Sequence, residues 1–453
     1  MSNYAGEKIL KKHIIDNSCG DGAFLEEIVK RYCQIAISKK LPAEEIASDL
    51  FQYIHGIEID EIECNKCRLK MMQIANSFGI KTTQFDIRHG SALKIRDYDN
   101  KMDFVIGNPP YVRIHNIKET NEVKKFSFAQ GGMTDLFIVF YEIGLRMLNS
   151  SGTLGYITPS SFFSSLAGEY MRSYLSENLL LKKVVDLKHT QVFSATTYAT
   201  IIVLQKGNRS DSIDYYCFDE TKNIPKYTEQ LLLRDYYIAG NFYFSSKQNL
   251  NLLKKILNNY SQSDIYVKNG YATLCDQVFI KDANFESPFA IPVVKASQGV
   301  TKKIIFPYDE NAKILPESVI KTDQKLYEYL LTNKAILLQR SCEKTEEEYW
   351  YAFGRSQALI DTYKDKIAIN TLIRNEHDLK FVMAPKGTGV YSGLYILSNT
   401  VPLEEIKNTL CSEEFAIYVS LLSKYKSGGY YTFSTKDVKR FLDYKFSSNE
   451  RLF

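Results

Sequence analysis

The sequence predicts an α/β protein in which a Rossmann-like domain, residues 1–230, precedes an α+β domain, residues 231–453. Two observations support the first domain. Short apolar runs that end in small or acidic residues recur along it, which is typical of strands in an open α/β sheet. One of these runs leads through a glycine-containing turn into apolar residues at helical spacing. Beyond this domain, aromatic and β-branched runs alternate with helical stretches, as expected for an α+β unit.

The first strand is predicted at residues 14–16, where Ile-Ile-Asp precedes the sequence Asn-Ser-Cys-Gly-Asp-Gly. Gly20 and Gly22 permit the close approach of a ligand to the backbone, and a helix is predicted to start directly after them. A glycine pair alone is weak evidence for a ligand site. The dinucleotide-binding pattern has a third glycine, which this turn lacks.

A second strand is predicted at residues 55–58 and ends in Glu58. A carboxylate at the end of a strand is well placed to accept hydrogen bonds from both hydroxyls of a ribose. The sequence therefore places a possible nucleoside-binding group next to the glycine turn.

The most informative strand is residues 104–107, which is followed by Asn-Pro-Pro-Tyr at residues 108–111. Neither proline can donate to a sheet ladder, so the strand ends abruptly and leaves the Asn108 amide at its carboxyl end. The amide oxygen and the carbonyl of Pro109 are two acceptors that converge on one point, and an aromatic ring follows them. Two acceptors on a conjugated NH2 group return the nitrogen lone pair from the ring, so the pattern favours a reaction at a planar amine.

The order of these motifs resembles the amino-group DNA methyltransferases that use S-adenosylmethionine, and specifically the gamma-type N6-adenine enzymes of type II restriction–modification systems. The likeness extends from residue 14 to about residue 206. It includes a helix that begins at residues 135–137, a strand within residues 155–162, and Val192-Phe193 followed by a strand at 199–204. The resemblance implies a methyltransferase domain followed by a target-recognition domain.

The resemblance also implies roles for individual residues. The cofactor pocket would be formed by Asp16, Cys19, Gly20, Gly22, Phe24, Glu58, Ile59, Ser91 and Asn108. The catalytic motif would be Asn108, Pro109, Pro110 and Tyr111, in which Asn108 and Pro109 bind and polarise the target amine. Tyr111 and Phe193 would contact the target base, which must leave the duplex to reach the pocket.

Ser91 is a departure from the family pattern, which often has an acidic residue at this position. A hydroxyl group can accept a hydrogen bond from the amine of the cofactor's adenine, but it carries no charge. We therefore expect weaker recognition of that amine by residue 91.

Composition excludes several classes of protein. No run of about 20 apolar residues and no basic-then-apolar leader is present, so we expect neither a membrane span nor a secretory signal, and we expect a cytoplasmic protein. The eight cysteines are scattered, and the single CxxC, Cys64 and Cys67, has no second pair, so we expect reduced thiols and no metal site. The net charge of +4 is too small to indicate a nucleic-acid partner by itself.

In the second domain, strands are predicted at 266–267, 277–280, 291–294 and 303–306, and helices at 250–256 and 325–331. The resemblance implies that this domain binds double-stranded DNA. The clearest candidate segments are the aromatic loop 350–357 and residues 295–297. The candidate DNA contacts are Lys295, Ser297, Lys302, Arg340, Arg355 and Gln357.

Three other functions remain open from the sequence. Asn-Pro-Pro-Tyr after a glycine turn also resembles the enzymes that methylate glutamine in release factors, although their extra domain is N-terminal. Methylation of adenine in RNA uses the same chemistry. A catalytically idle DNA-recognition subunit could retain the fold. The family further implies a cognate restriction endonuclease as functional partner, and a monomer is the expected state.

Overall fold

The computed structural model describes residues 9–81, 84–117, 119–130, 134–190, 198–259, 261–341 and 349–447. The chain forms two compact units that divide between Leu250 and Asn251. No helix in the described ranges is long and apolar enough to cross a bilayer.

The strands of the first unit are β1 (Ile14–Asp16), β2 (Ile54–Glu58), β3 (Asp86–His89), β4 (Met102–Gly107), β5 (Leu148–Pro159), β6 (Leu181–Asp186), β7 (Ala199–Gln205), β8 (Ser212–Asp219), β9 (Ile224–Leu232), β10 (Tyr237–Ile238) and β11 (Asn241–Phe242). Its helices are α1 (Ala23–Ser38), α2 (Ala43–Tyr53), α3 (Glu61–Ser77), α4 (Thr120–Val123), α5 (Leu136–Met147), α6 (Glu169–Glu177) and α7 (Leu233–Tyr236), and α8 (Lys247–Leu257) crosses the division. The strands and helices predicted around the motifs are present.

Nine of these strands form one sheet in the described part of the chain, in the order β3-β2-β1-β4-β5-β7-β6-β8-β9. The five strands β1 to β5 are parallel to one another, and β7 runs antiparallel to its neighbours β5 and β6. The strand order reverses between β1 and β4, so their carboxyl ends flank a topological switch point. Ligands of open α/β sheets bind at such a point.

The core beside β1 and β2 is formed by α1, α2 and α3. Tyr32, Leu50 and Met71 are fully buried there, and the Tyr32 hydroxyl donates to Asp49 over 2.9 Å. Cys64 and Cys67 are also buried and free in this core. The CxxC sequence therefore contributes two packed thiols at helical spacing.

The predicted domain boundary at residue 230 falls inside β9. This strand pairs with β8 from Ser212↔Leu232 to Asp219↔Ile224, so it belongs to the sheet of the first unit. The chain divides further on, between Leu250 and Asn251, so the first unit includes the whole of β9.

The second unit contains the strands β12 (Ile265–Asn269), β13 (Ile280–Lys281), β14 (Ala290–Lys295), β15 (Val300–Ile305), β16 (Lys366–Ile369), β17 (Leu372–Ile373), β18 (Phe381–Ala384), β19 (Gly389–Tyr391), β20 (Leu394–Ser398), β21 (Tyr425–Lys426) and β22 (Tyr430–Thr432). Its helices are α9 (Asp276–Phe279), α10 (Glu317–Ile320), α11 (Gln324–Thr332), α12 (Lys334–Leu338), α13 (Leu403–Leu410), α14 (Glu413–Leu421) and α15 (Thr435–Phe446). The described strands form sheets in the orders β12-β20-β16-β18, β13-β15-β14-β19 and β17-β22-β21.

Two predictions for this unit were wrong. Residues 277–280, predicted as a strand, form most of the one-turn helix α9 and only the start of β13. The aromatic part of the loop 350–357 is core: Trp350, Tyr351 and Phe353 are each at most 5% exposed. Phe353 packs edge-on against Phe279 and Tyr308, so these rings stabilise the fold and are not available to a nucleic acid.

Candidate active site

Asp16 ends β1 at the switch point and lies beneath the site. It is 1% exposed, and its Oδ1 accepts a hydrogen bond from the backbone N–H of Ser18 over 3.0 Å. A Cβ atom at Gly107 would lie 2.6 Å from Asp16 Oδ1, so only glycine allows the end of β4 to approach β1 this closely. Burial, with a smaller contribution from the charge of Glu58, raises the pKa of Asp16 to about 7.

A cavity of about 440 Å³ opens at these strand ends. This volume is in the range of small-molecule and cofactor sites. Its walls are mainly apolar, with polar groups at separate points. The lining residues are Asn17, Ser18, Ile57, Glu58, Ile59, Gly90, Ser91, Ala92, Leu93, Asn108, Pro110, Val112, Ile117, Glu119, Leu136 and Phe140.

Asn108 lies at the end of β4 and lines this cavity. Its backbone carbonyl accepts a hydrogen bond from the Ser18 hydroxyl over 3.3 Å, which ties the segment after β4 to the turn after β1. The side-chain Oδ1 is buried and makes no hydrogen bond within the described parts of the chain. Leaving a buried acceptor unpaired costs about 1–3 kcal/mol, which a bound amine donor would recover.

Pro110 lines the cavity, whereas Pro109 and Tyr111 do not. The Tyr111 hydroxyl donates to the carbonyl of Ile157 over 3.0 Å, and its ring packs edge-on against Phe137. These two contacts fix the direction of the ring beside the cavity.

Glu58 ends β2 and its carboxylate is held by three backbone N–H groups. Oε2 accepts from Gly20 over 2.7 Å, and Oε1 accepts from Ile59 and Asp60 over 2.9 and 3.0 Å. Gly20 thus positions Glu58 from the turn after β1. Ile59, 63% exposed although apolar, lies directly after it in the cavity wall.

The structure does not bring Asp16, Cys19, Gly20, Gly22 and Phe24 to the cavity wall, and Gly20 is connected to it only through its hydrogen bond to Glu58. Cys19 is 5% exposed, and its thiol makes a hydrogen bond with the free thiol of Cys67 in α3. A Cβ atom at Gly22 would lie 2.8 Å from the sulfur of Cys67, so this glycine allows α1 and α3 to pack closely. Phe24 packs against the same core. The glycine-turn motif is therefore partly a packing motif.

Ser91 follows β3 in the cavity wall, as the prediction of a cofactor contact requires. Its hydroxyl donates to Glu119 Oε2 over 2.7 Å. Phe193, the second predicted contact of the target base, lies outside the described residues.

Several cavity residues were not predicted from the sequence. Asn17 is buried and its Oδ1 accepts from the Tyr156 hydroxyl over 2.9 Å. Leu136 and Phe140 belong to the apolar face of α5, which the pattern assigned to the core. Glu119 comes from the segment between β4 and α5, and no local pattern identifies it, because its position depends on how that segment folds back over the cavity.

The candidate DNA contacts of the second unit fall into two groups. Lys295 and Lys302 lie on the β14–β15 hairpin, and Lys302 Nζ is 3.9 Å from Asp282 Oδ1. Ser297 lies in the intervening turn, where its hydroxyl is 2.9 Å from that of Ser392. These side chains are exposed or half-buried.

The prediction of Arg340 as a DNA contact was wrong. Its guanidinium donates to the carbonyls of Leu337, Thr273 and Trp350 over 2.8, 2.7 and 3.0 Å, and so stabilises the fold. Arg355 is exposed beyond the buried aromatic segment. Gln357 is exposed as a residue, but its amide donates to the Gly270 carbonyl over 2.6 Å.

The chain is similar to known restriction-modification enzymes. Residues 52–193 match the Eco57I restriction-modification methylase family. The type II methyltransferase M.BstVI of Geobacillus stearothermophilus is 23% identical over 401 residues, which cover 78% of this chain and 71% of that protein. The type II restriction enzyme and methyltransferase RM.Eco57I of Escherichia coli is 25% identical over 501 residues, covering 86% of this chain and 49% of that protein.

Among solved structures, the type IIL restriction-modification enzyme MmeI in complex with DNA matches with a TM-score of 0.64 and 15% identity, covering 94% of this chain and 62% of that chain. The chain thus spans about half of RM.Eco57I and less than two thirds of MmeI. The resemblance to type II restriction–modification methyltransferases is confirmed. The Rossmann-like fold and the methylase match together imply S-adenosylmethionine as the cofactor.

Proposed function

We propose that this protein is a site-specific DNA methyltransferase that transfers a methyl group from S-adenosylmethionine to N6 of adenine. The observation that carries the proposal is the Oδ1 of Asn108, which is buried at the switch point beside a cavity of cofactor size and has no partner among the residues that the structure describes. The similarity to type II methyltransferases supports DNA as the substrate.

The cavity residues fit the proposed cofactor. The Glu58 carboxylate, held by three N–H groups, can accept hydrogen bonds from both ribose hydroxyls. Ile59 and Leu93 offer apolar surface to a purine ring. When bound, S-adenosylmethionine supplies a methyl group that is open to in-line displacement from a sulfonium.

Asn108 and Pro109 would act on the target amine. The Asn108 Oδ1 and the Pro109 carbonyl accept one hydrogen bond each from the two N–H groups, which draws the nitrogen lone pair out of the ring. The amine nitrogen then bonds to the methyl carbon as the carbon–sulfur bond breaks. An amide oxygen does not hold a proton at neutral pH, so the proton of the methylated amine passes to water. Catalysis is therefore mainly orientation of donor and acceptor.

An adenine inside a duplex cannot bring its N6 to a cavity at the end of a sheet, so we propose that the base flips out. Unstacking costs a few kcal/mol, and stacking on an aromatic ring offsets part of this cost. Tyr111, whose ring is fixed by Ile157 and Phe137, is the proposed stacking partner, together with Phe193.

The second unit is proposed to recognise the DNA sequence. Lys295, Ser297 and Lys302 on one hairpin, with Arg355, are the proposed contacts. Arg340 is excluded because its guanidinium is bonded to carbonyls of its own unit. We further propose that the enzyme acts as a monomer and protects DNA from a cognate restriction endonuclease.

The proposal is tested by measuring transfer of labelled methyl from S-adenosylmethionine to unmethylated duplex DNA. We expect Asn108→Ala to lower the rate by at least about 100-fold, since the loss of one oriented hydrogen-bonding group at a reacting centre costs about 3 kcal/mol in a desolvated site. The matched control is Asn76→Ala, an exposed asparagine on α3, which should retain wild-type activity. Equal activity of Asn108→Ala and wild type would refute the proposal that Asn108 binds the target amine.

A further inference from the structure

The cavity contains one carboxylate that the sequence motifs do not account for. Glu119 immediately precedes the short helix α4 and lines the cavity beside Ser91. Its side chain is 23% exposed, so most of its surface is covered by the cavity wall. The carboxylate therefore lies within the site and not on an unrelated surface.

Two neighbours fix the position of the Glu119 carboxylate. The Ser91 hydroxyl donates to Oε2 over 2.7 Å, and the Lys94 ammonium lies 2.6 Å from Oε1. Lys94, and to a smaller extent the Ser91 hydroxyl, lower the pKa of Glu119, so the group is ionised at neutral pH. A carboxylate has about four acceptor positions, and these two contacts leave room for another donor.

The strand order places Glu119 on the side of the cavity away from Asn108. Ser91 follows β3, which neighbours β2, and β2 carries Glu58, the proposed ribose ligand. Asn108 follows β4, from which β3 is separated by β2 and β1. Beyond the ribose, on the side away from the reacting amine, the cavity therefore offers the Glu119 carboxylate next to the apolar side chains of Ile59 and Leu93.

We infer that Glu119 accepts a hydrogen bond from the exocyclic amine of the cofactor's adenine and thereby supplies the charged acceptor that residue 91 lacks. Ser91 then positions Glu119 instead of contacting the amine alone. This inference rests on the proposed function, because it assumes that S-adenosylmethionine binds in the cavity.

The test compares two ligands that differ only at the purine 6-position. S-Adenosylhomocysteine has an amine there, and its 6-deamino analogue, which carries unsubstituted purine, has a hydrogen atom that cannot donate to a carboxylate. Their dissociation constants are measured by calorimetry on the full chain. We expect the wild type to bind the adenosyl ligand at least about tenfold more tightly, the worth of one hydrogen bond to a charged group.

Glu119→Gln should reduce this preference to within about threefold, because a neutral amide accepts a hydrogen bond from an amine more weakly than a carboxylate does. Glu122→Gln is the matched control. Glu122 lies one helical turn further on and pairs with Lys125 at 2.9 Å outside the cavity, so this variant should retain the full preference. If Glu119→Gln does not fold, Glu119→Asp replaces it, since shortening the side chain by one methylene should also weaken the preference.

The outcomes separate the inference from the proposed function. Binding of S-adenosylhomocysteine with no preference over the 6-deamino ligand, or a preference that survives the change at Glu119, overturns the role of Glu119 and leaves the methyltransferase proposal intact. No binding of S-adenosylhomocysteine to the wild type overturns both.

Discussion

At the scale of single residues, the site depends on two polar groups that are buried for different reasons. Asp16 is paired and structural, since it joins the turn after β1 to the end of β4. Asn108 Oδ1 has no hydrogen-bond partner within the described residues, as expected of an acceptor that pairs with the proposed substrate. The sequence predicted both residues for the site. It could not distinguish their roles, because the direction of a side chain after a strand end depends on the turn that follows.

The buried carboxyl of Asp16 predicts a pH-dependent stability. Its pKa is raised from 3.8 to about 7 in the folded state, so the stability that it contributes is fully present below pH 4 and is lost as the pH rises through 7. The loss amounts to at most about 4 kcal/mol. Between pH 4.5 and pH 8, we expect the free energy of unfolding of wild type to fall relative to that of Asp16→Asn.

Denaturant unfolding of both proteins at several pH values measures this difference. Asp21→Asn is the control, because Asp21 lies in the same turn but its side chain is 51% exposed. This control should follow the wild-type pH profile. Parallel profiles for wild type and Asp16→Asn would contradict the account of Asp16.

At the scale of elements, the sequence predicted the strands and the helices around the motifs because their apolar periodicity is strong. The error at residues 277–280 shows the limit, since four residues with three β-branched or aromatic members fit a helical turn as well as a strand. The glycine turn shows another limit. The spacing of glycines indicates close approach, but not whether a ligand or a neighbouring helix makes it.

Gly22 tests which of these approaches matters. The residue has φ of +93°, and a Cβ atom there would lie 2.8 Å from the sulfur of Cys67 and 3.0 Å from Cε of Met71. Gly22→Ala should therefore destabilise the protein by about 2–4 kcal/mol, from backbone strain and overpacking together. Thermal or denaturant unfolding measures the effect.

Gly79→Ala is the matched control for Gly22→Ala. Gly79 also has positive φ, +76°, but a Cβ atom there would meet nothing within 4 Å. The control should cost only the strain, about 1 kcal/mol. Equal costs for the two substitutions would show that the packing of α1 on α3 does not require a glycine at position 22.

At the scale of the whole molecule, the chain forms two compact units, a proposed catalytic domain and a proposed recognition domain. The motifs of the first unit could be interpreted residue by residue, because strand ends at a switch point converge whatever the rest of the chain does. The second unit could not be interpreted in this way. Its densest aromatic segment is core, and Arg340, a candidate DNA contact, supports the fold.

We propose that the chain methylates N6 of adenine in DNA, and that Asn108 and Pro109 hold the amine during the reaction. The most direct test is to incubate the full chain with S-adenosylmethionine and unmethylated duplex DNA, digest the DNA to nucleosides and identify the methylated product by mass spectrometry. We expect N6-methyladenine as the product. Methylation of cytosine, or no methylated nucleoside from a protein that binds S-adenosylmethionine, would contradict it.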